Sequence, residues 1–191
     1  MKVAEVGKCE QRKISKLIFN TVVPRPIAWI TTVSKTGVVN LAPFSFYNAI
    51  TTKPPLVFIS IGKRKDGSEK DTTRNIKETG EFVINVVTKD LLEKMIKTGE
   101  DLPPDESEVE KFNVETVPSK KVKPPIVKGV PAALECKLKE ILEIGDTPMS
   151  VIIGEVVAIH YTEEILQSSK NIVGRLGGKR YTVINEEIEL R

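Results

Sequence analysis

Two stretches of the chain bring together residue types that could do chemistry. The first spans residues 24–55 and reads PRPIAWITTVSKTGVVNLAPFSFYNAITTKPP. Small and hydroxyl side chains stand where a strand core would take larger apolar ones: Thr31, Thr32, Ala42, Ser45, Asn48 and Thr51. A one-sided sheet alternates polar and apolar residues, so each of these fits the outer face of a half-buried hairpin. The cluster as a whole fits a ligand lying flat on the strands, its heteroatoms reached by backbone groups and short hydroxyls. The second stretch is Lys70-Asp71-Thr72-Thr73-Arg74-Asn75, at a predicted helix start. The first free amides of a helix bind phosphate, and Lys70, Thr72 and Arg74 can add charge and hydroxyl donors. An ordinary N-cap with surface charges is the competing reading of that spacing.

Other kinds of chemistry lack their residues. His160 is the single histidine, which excludes a multi-histidine metal site. There is no Gly-x-Gly-x-x-Gly fingerprint, no Walker-type Gly-Lys-Ser/Thr and no Gly-x-Ser-x-Gly elbow. The two cysteines, Cys9 and Cys136, are far apart and make no metal-ligand cluster. A chain of this length needs no disulfide, so reduced thiols in a cytosol are expected. Cys136 alternates with Leu134 and Leu138 and is expected to point into the core as an inert thiol. A protein without acid–base machinery often borrows its chemistry from a cofactor.

The elements that must position these residues read mostly as strands. Residues 27–33 and 38–46 flank Ser34-Lys35-Thr36-Gly37, a turn cluster ending in glycine, and predict a hairpin. Residues 56–61 and 81–87 are short β-branched or aromatic runs. Residues 132–144 and 150–161 form a second strand pair around Gly145-Asp146-Thr147-Pro148, and 181–190 reads as a last strand. Asp71 or Thr72 can cap a helix that Gly80 ends. Thr88 or Asp90 can open another, with Leu91, Leu92, Met95 and Ile96 as its apolar stripe. Segment 100–110 holds six acids and no base, with Pro103-Pro104 inside, and reads as a solvated loop. The basic, proline-bearing stretch 118–128 reads as a surface connection.

The chain has 191 residues, 40% hydrophobic and 29% charged, which suits a single domain over 1–191 with one sizeable core. Many short strands and few helices predict a mainly β, closed or nearly closed barrel. A net charge of +3 and 5% aromatic residues argue against a nucleic-acid partner, which needs a basic groove and stacking platforms. The N-terminal residues carry no apolar signal region, and no apolar run approaches the roughly 18 residues of a membrane span. A cytoplasmic protein without a membrane partner is expected.

The run PRPIAWITT…G…NLAPFSFYN…PP, followed by KDT…N and TGEFVIN, closely resembles the flavin reductase-like, FMN-binding split-barrel family. Pro124-Pro125, Leu134 to Cys136, Ile152 to His160 and the RLGG…Y pieces at Arg175 to Tyr181 extend the resemblance over nearly the whole chain. The resemblance implies a six-stranded antiparallel split barrel with a few flanking helices. It implies a homodimer with FMN in a groove near the subunit interface. Thr31, Thr32, Asn40, Leu41, Ala42, Pro43, Ser45 and Asn48 then correspond to strand and loop contacts with the flavin. Lys70, Asp71 and Thr72 correspond to its phosphate end. Arg175, Gly177 and Tyr181 would approach the cofactor from the partner subunit or close the site. The implied activity is hydride transfer from NAD(P)H to FMN and on to a small-molecule or protein acceptor. FMN binding without nicotinamide chemistry, as an electron carrier or flavin store, is the alternative. Two-component flavin reductases carry a histidine near the C-terminal pocket, whereas NIVGRLGGKRY here has none. His160, inside a strand-like run, reads as structural.

Overall fold

Residues 27–33 offer small or apolar side chains at every position, so the strand they form must be covered on both faces. The computed structural model describes residues 1–103 and 106–189. The chain opens with α1 (Gln11–Thr21), then β1 (Arg25–Pro26), β2 (Ala28–Val33), β3 (Val39–Phe44), β4 (Tyr47–Thr52) and β5 (Pro55–Gly62). Next come α2 (Asp71–Thr79), β6 (Glu81–Asn85), α3 (Leu92–Lys97) and α4 (Glu108–Lys111). The last strands are β7 (Thr116–Val117), β8 (Ile126–Val127), β9 (Ala132–Glu143), β10 (Met149–Tyr161), β11 (Val173–Arg175) and β12 (Tyr181–Val183). Seven strands build the main sheet in the order β3-β2-β6-β9-β10-β5-β4, all neighbours antiparallel. β1, β11 and β12 form a second sheet, and β7 pairs with β8.

Side chains alternate across a strand, and β2 uses this to divide two cores. Ala28 and Ile30 pack with Ile59, Phe82, Ile84, Cys136 and Ile152. Ile27, just before the strand, and Trp29 pack on the other side with Leu41, Met95, Val127 and Val173. Trp29 is fully buried, and its indole N–H is satisfied by Thr98 Oγ1 at 2.8 Å. Burying a side chain of the Phe82 kind contributes about 1.5–3 kcal/mol.

The mainly β expectation holds. The β2–β3 hairpin turns where predicted, with Gly37 at a φ of 91° and its N–H bonded to Ser34 O. α2 ends at Gly80, in the left-handed conformation. Its start differs: Lys70 is the N-cap residue and no side chain caps the first turn, because the Asp71 and Thr72 side chains are engaged elsewhere. The second helix begins as a 3-10 turn at Lys89–Leu91 and continues as α3. Leu91, Leu92 and Met95 reach the second core, whereas Ile96 faces outward. α1 goes beyond the predicted elements; Ile14 is its one buried residue. The acidic segment 100–110 is not simply a solvated loop. Ser107 accepts from Glu110 N–H at the start of α4, and Glu108 is only 4% exposed because it reaches β3. Pro104 and Asp105 of that segment lie outside the described residues, as does Leu190 of the predicted last strand, of which Tyr181–Val183 is extended. Among the described residues no helix is long and apolar enough to cross a membrane.

Candidate functional site

A cleft runs along β3 and widens past its end. The narrow part, about 50 Å³, lies at the start of α2 and is lined by Asn40, Ala42, Arg64, Lys70, Asp71, Thr72 and Glu108. The wide part is a groove of about 900 Å³ bounded by α1, β1, α3 and the β11–β12 end of the chain. Pro43, Phe44, Gly99 and Glu100 line both parts, so the two join. Gly99 makes the junction tight: a Cβ there would lie 3.2 Å from Ile96 O and 3.4 Å from Pro43 Cγ.

The narrow part is held by buried polar side chains from four elements. Thr72 Oγ1 donates to Asn40 Oδ1 at 2.8 Å. Asn75 Nδ2 donates to Thr32 Oγ1 at 3.1 Å, and Thr32 Oγ1 lies 3.4 Å from Asn40 Oδ1. Asn40 Nδ2 and the Leu41 N–H donate to the Glu108 carboxylate at 2.9 Å. Burial pushes the Glu108 carboxyl above its ordinary value of 4.5, against the lowering effect of the bonds from Leu41 and Asn40. Asp71 pairs with Arg64 and Arg74. These contacts clamp α2 onto β2 and β3 and leave its uncapped first turn at the cleft. The first helical bond runs from Arg74 N–H to Lys70 O, so the earlier amides have no partner within the helix. Such an end suits an anion. Lys70 Nζ stands beside it, 3.3 Å from Asp101 Oδ1.

The wide part is cationic and aromatic. Arg25 is 7% exposed and donates to Phe19 O, Val22 O, Leu176 O and Ser45 Oγ. Its guanidinium lies 5.4 Å from the centre of the Phe19 ring. Burial and the nearby Arg175 charge lower its pKa. Arg175 lies 4.4 Å from the Tyr181 ring centre, bonds the Tyr181 hydroxyl and donates to Gly178 O at 2.5 Å.

The structure therefore brings Asn40, Ala42, Pro43, Lys70, Asp71 and Thr72 to the narrow part, and Pro43, Ser45, Arg175 and Tyr181 to the wide part. Leu41 is fully buried in the second core between them. Thr31 and Thr32 form neither an outer polar face nor a cleft wall. Both are fully buried, with Thr31 Oγ1 taking 2.7 Å hydrogen bonding from Asn85 Nδ2. Asn48 is exposed on β4, its side chain turned back on the Ala49 N–H. Gly177 packs against Asn20 of α1, where a Cβ would collide, and Gly178 is the glycine at the groove. The sequence reading missed Arg25, Arg64 and Glu108. Arg25 lies inside the PRP motif itself, but its role depends on carbonyls of α1 and of the residue after β11.

The remaining reactive groups lie away from the cleft. His160 Nε2 meets Glu135 Oε1 at 2.5 Å, a structural pairing. Cys9 and Cys136 are both free thiols, and Cys136 sits in the first core with its pKa raised by burial. Among the described residues no His, Cys, Asp and Glu side chains group as a metal site.

The flavin reductase like domain profile matches residues 19–173. An uncharacterized protein of Aquifex aeolicus is 42% identical over 183 residues, covering 92% of each chain. Nitrilotriacetate monooxygenase component B from Bacillus cereus superposes with a TM-score of 0.90 at 33% identity, covering 100% of this chain and 98% of that one. The 2-nitrobenzoate 2-nitroreductase NbaA of Pseudomonas fluorescens gives 0.87 at 31% identity, covering 100% and 95%. The split-barrel expectation is borne out by this likeness.

Proposed function

The chain belongs to the flavin reductase-like family, and from that premise we propose that it is an FMN-dependent oxidoreductase that draws on NAD(P)H and serves a second acceptor. The observation that carries the reading is the continuous cleft from the uncapped start of α2, along Asn40 to Ser45, into the 900 Å³ groove. Its two ends differ as a phosphate and a planar ring system require. The α2 amides and Lys70 suit the phosphate. Ala42, Pro43 and Ser45 leave a low floor for rings, and Arg175 with Tyr181 stands at the far side. When bound, FMN supplies the two-electron chemistry that no side chain here offers. The chain's part is to orient the rings, exclude water and set the charge around them.

The acceptor is a small molecule or a protein. The two structural relatives support both kinds, one being named as a monooxygenase component and the other as a reductase of 2-nitrobenzoate. A second reading, FMN binding as an electron carrier or store without nicotinamide chemistry, is favoured by one observation: the only histidine is paired with Glu135 outside the cleft. Anaerobic mixing of the FMN-loaded protein with NADH and with NADPH separates the two. Bleaching of the flavin absorption is expected. Retained colour with both reductants would favour the carrier, and a colourless protein that loses added FMN in dialysis would defeat both.

A further inference from the structure

Arg25 and Arg175 face each other as register partners across the β1–β11 pair. Like charges in that position repel, and among the described residues neither has a carboxylate within 4.0 Å. Every acceptor Arg25 uses is neutral: three backbone carbonyls and the Ser45 hydroxyl. Arg175 likewise bonds a phenol and a carbonyl. Lys97 and Lys179 line the same groove, against the single acid Glu100. So much uncompensated positive charge around a half-enclosed groove is a standing cost unless an anion enters.

We propose that the Arg25–Arg175 end of the groove binds the second substrate through an anionic group, a carboxylate or a phosphate, attached to a planar ring. The proposal rests on the FMN reading above and says which molecules share the groove with the cofactor. The guanidinium faces are already covered, Arg25 by Phe19 and Phe46 and Arg175 by Tyr181. Their N–H edges therefore remain for the ligand. Arg25 has four N–H donors committed and Arg175 two, which leaves edge donors on both to meet one oxygen group. Phe46, exposed on the groove wall, offers a flat surface beside those edges, which suits a planar ring. A volume of about 900 Å³ is at the upper end for a ligand pocket, which leaves room for a second planar molecule. A bound anion would counter the Arg175 charge, which together with burial lowers the proton affinity of Arg25.

The test is calorimetric titration of the FMN-loaded protein with benzoate and phenyl phosphate, and with their neutral counterparts benzamide and phenol. Flavin content is read separately from absorbance. Both anions are expected to bind at least roughly tenfold more tightly than the neutral probes, and added salt should weaken the anions alone. Arg175→Gln, titrated in excess FMN so that any change in cofactor affinity is compensated, should weaken the anions by roughly tenfold or more. Lys179→Gln, at an exposed rim position, should give a smaller loss in the same sense and serves if the arginine variant fails to fold. Tighter benzoate would identify a carboxylic acid substrate, and tighter phenyl phosphate a nucleotide phosphate. Equal binding of charged and neutral probes, or anion binding indifferent to both variants, would overturn the proposal. Loss of FMN from the wild-type protein would instead strike the cofactor reading, and calorimetry still reports on the arginine pair in that case.

Discussion

Lys70 and Glu108 both line the narrow part of the cleft, and each makes a separable statement about it. Lys70→Glu places a negative charge beside the uncapped α2 amides. FMN should weaken by about 1.5 kcal/mol, roughly tenfold, with little change for riboflavin, which has no phosphate to repel. Equal loss for both ligands in equilibrium dialysis would move the phosphate elsewhere. Glu108 is a pH statement. Burial raises its folded-state pKa above the ordinary 4.5, so the native state holds the proton longer than the unfolded chain does. Its contribution is full below 4.5, declines as pH rises through the raised pKa, and is flat above it. Glu108→Gln removes that decline. The difference in urea midpoint between variant and wild type should shift in the variant's favour as pH rises from acid. A difference that shifts the other way would mean that the bonds from Asn40 and Leu41 outweigh burial. Site legibility followed chemistry type. The place of Lys70, Asp71 and Thr72 at a helix start was readable because such a start announces itself locally. Thr31 and Thr32 misled because a buried hydroxyl with a distant partner looks, in sequence, like one waiting for a ligand. Glu108 was hidden because its partners are 67 and 68 residues away.

Among the elements, β9 and β10 form the longest strand pair of the sheet, and Gly154 of β10 shows how closely the Phe82 ring of β6 packs against it. A Cβ at Gly154 would lie 2.3 Å from Phe82 Cζ, at a register shift between Ile153 and Gly154. Phe82 is fully buried in the first core and cannot swing aside. Gly154→Ala should therefore destabilise the fold by about 1–3 kcal/mol, measured by chemical denaturation, with FMN affinity kept in whatever remains folded. An unchanged midpoint would mean that Phe82 has room to move. Glu135, on β9, organises a neighbouring element. Its carboxylate accepts the N–H groups of Lys120, Lys121 and Val122, and it meets His160. Burial raises its pKa, but the amides and His160 outweigh burial and leave it lowered. This contribution to stability is present above the unfolded pKa and is lost as pH falls through the folded one. Strands with strong alternation and glycine-ended turns were legible. α1 was not, since it buries one residue, and neither was the clamp on residues 120–122, because nothing local marks a loop as tied to a strand 13 to 15 residues later.

For the whole molecule, the groove poses the question of what closes it. Phe46 and Ile96 on its wall are exposed, and so are Leu17 and Ile18, which precede the groove residue Phe19 on α1. Flavin rings bind best where most of their surface is covered, and one chain with a single tryptophan, three tyrosines and six phenylalanines has little aromatic material for a lid. A twofold partner supplies that wall without new sequence, and closed symmetric dimers are the commonest oligomers. We propose a homodimer with two equivalent FMN sites, each bounded by both chains. Dilution should then release FMN over the same concentration range in which the dimer dissociates, because the two equilibria are linked. Ile18→Glu tests the surface directly, since Ile18 is half exposed and makes no part of the groove wall. It should shift sedimentation toward the monomer and reduce FMN retention together, by a similar factor. A wild-type monomer that still holds one FMN tightly would defeat the dimer. A dimer in which Ile18→Glu changes assembly without changing FMN affinity would keep the oligomer but remove the partner from the site, leaving Arg175 and Tyr181 of the same chain to close the groove.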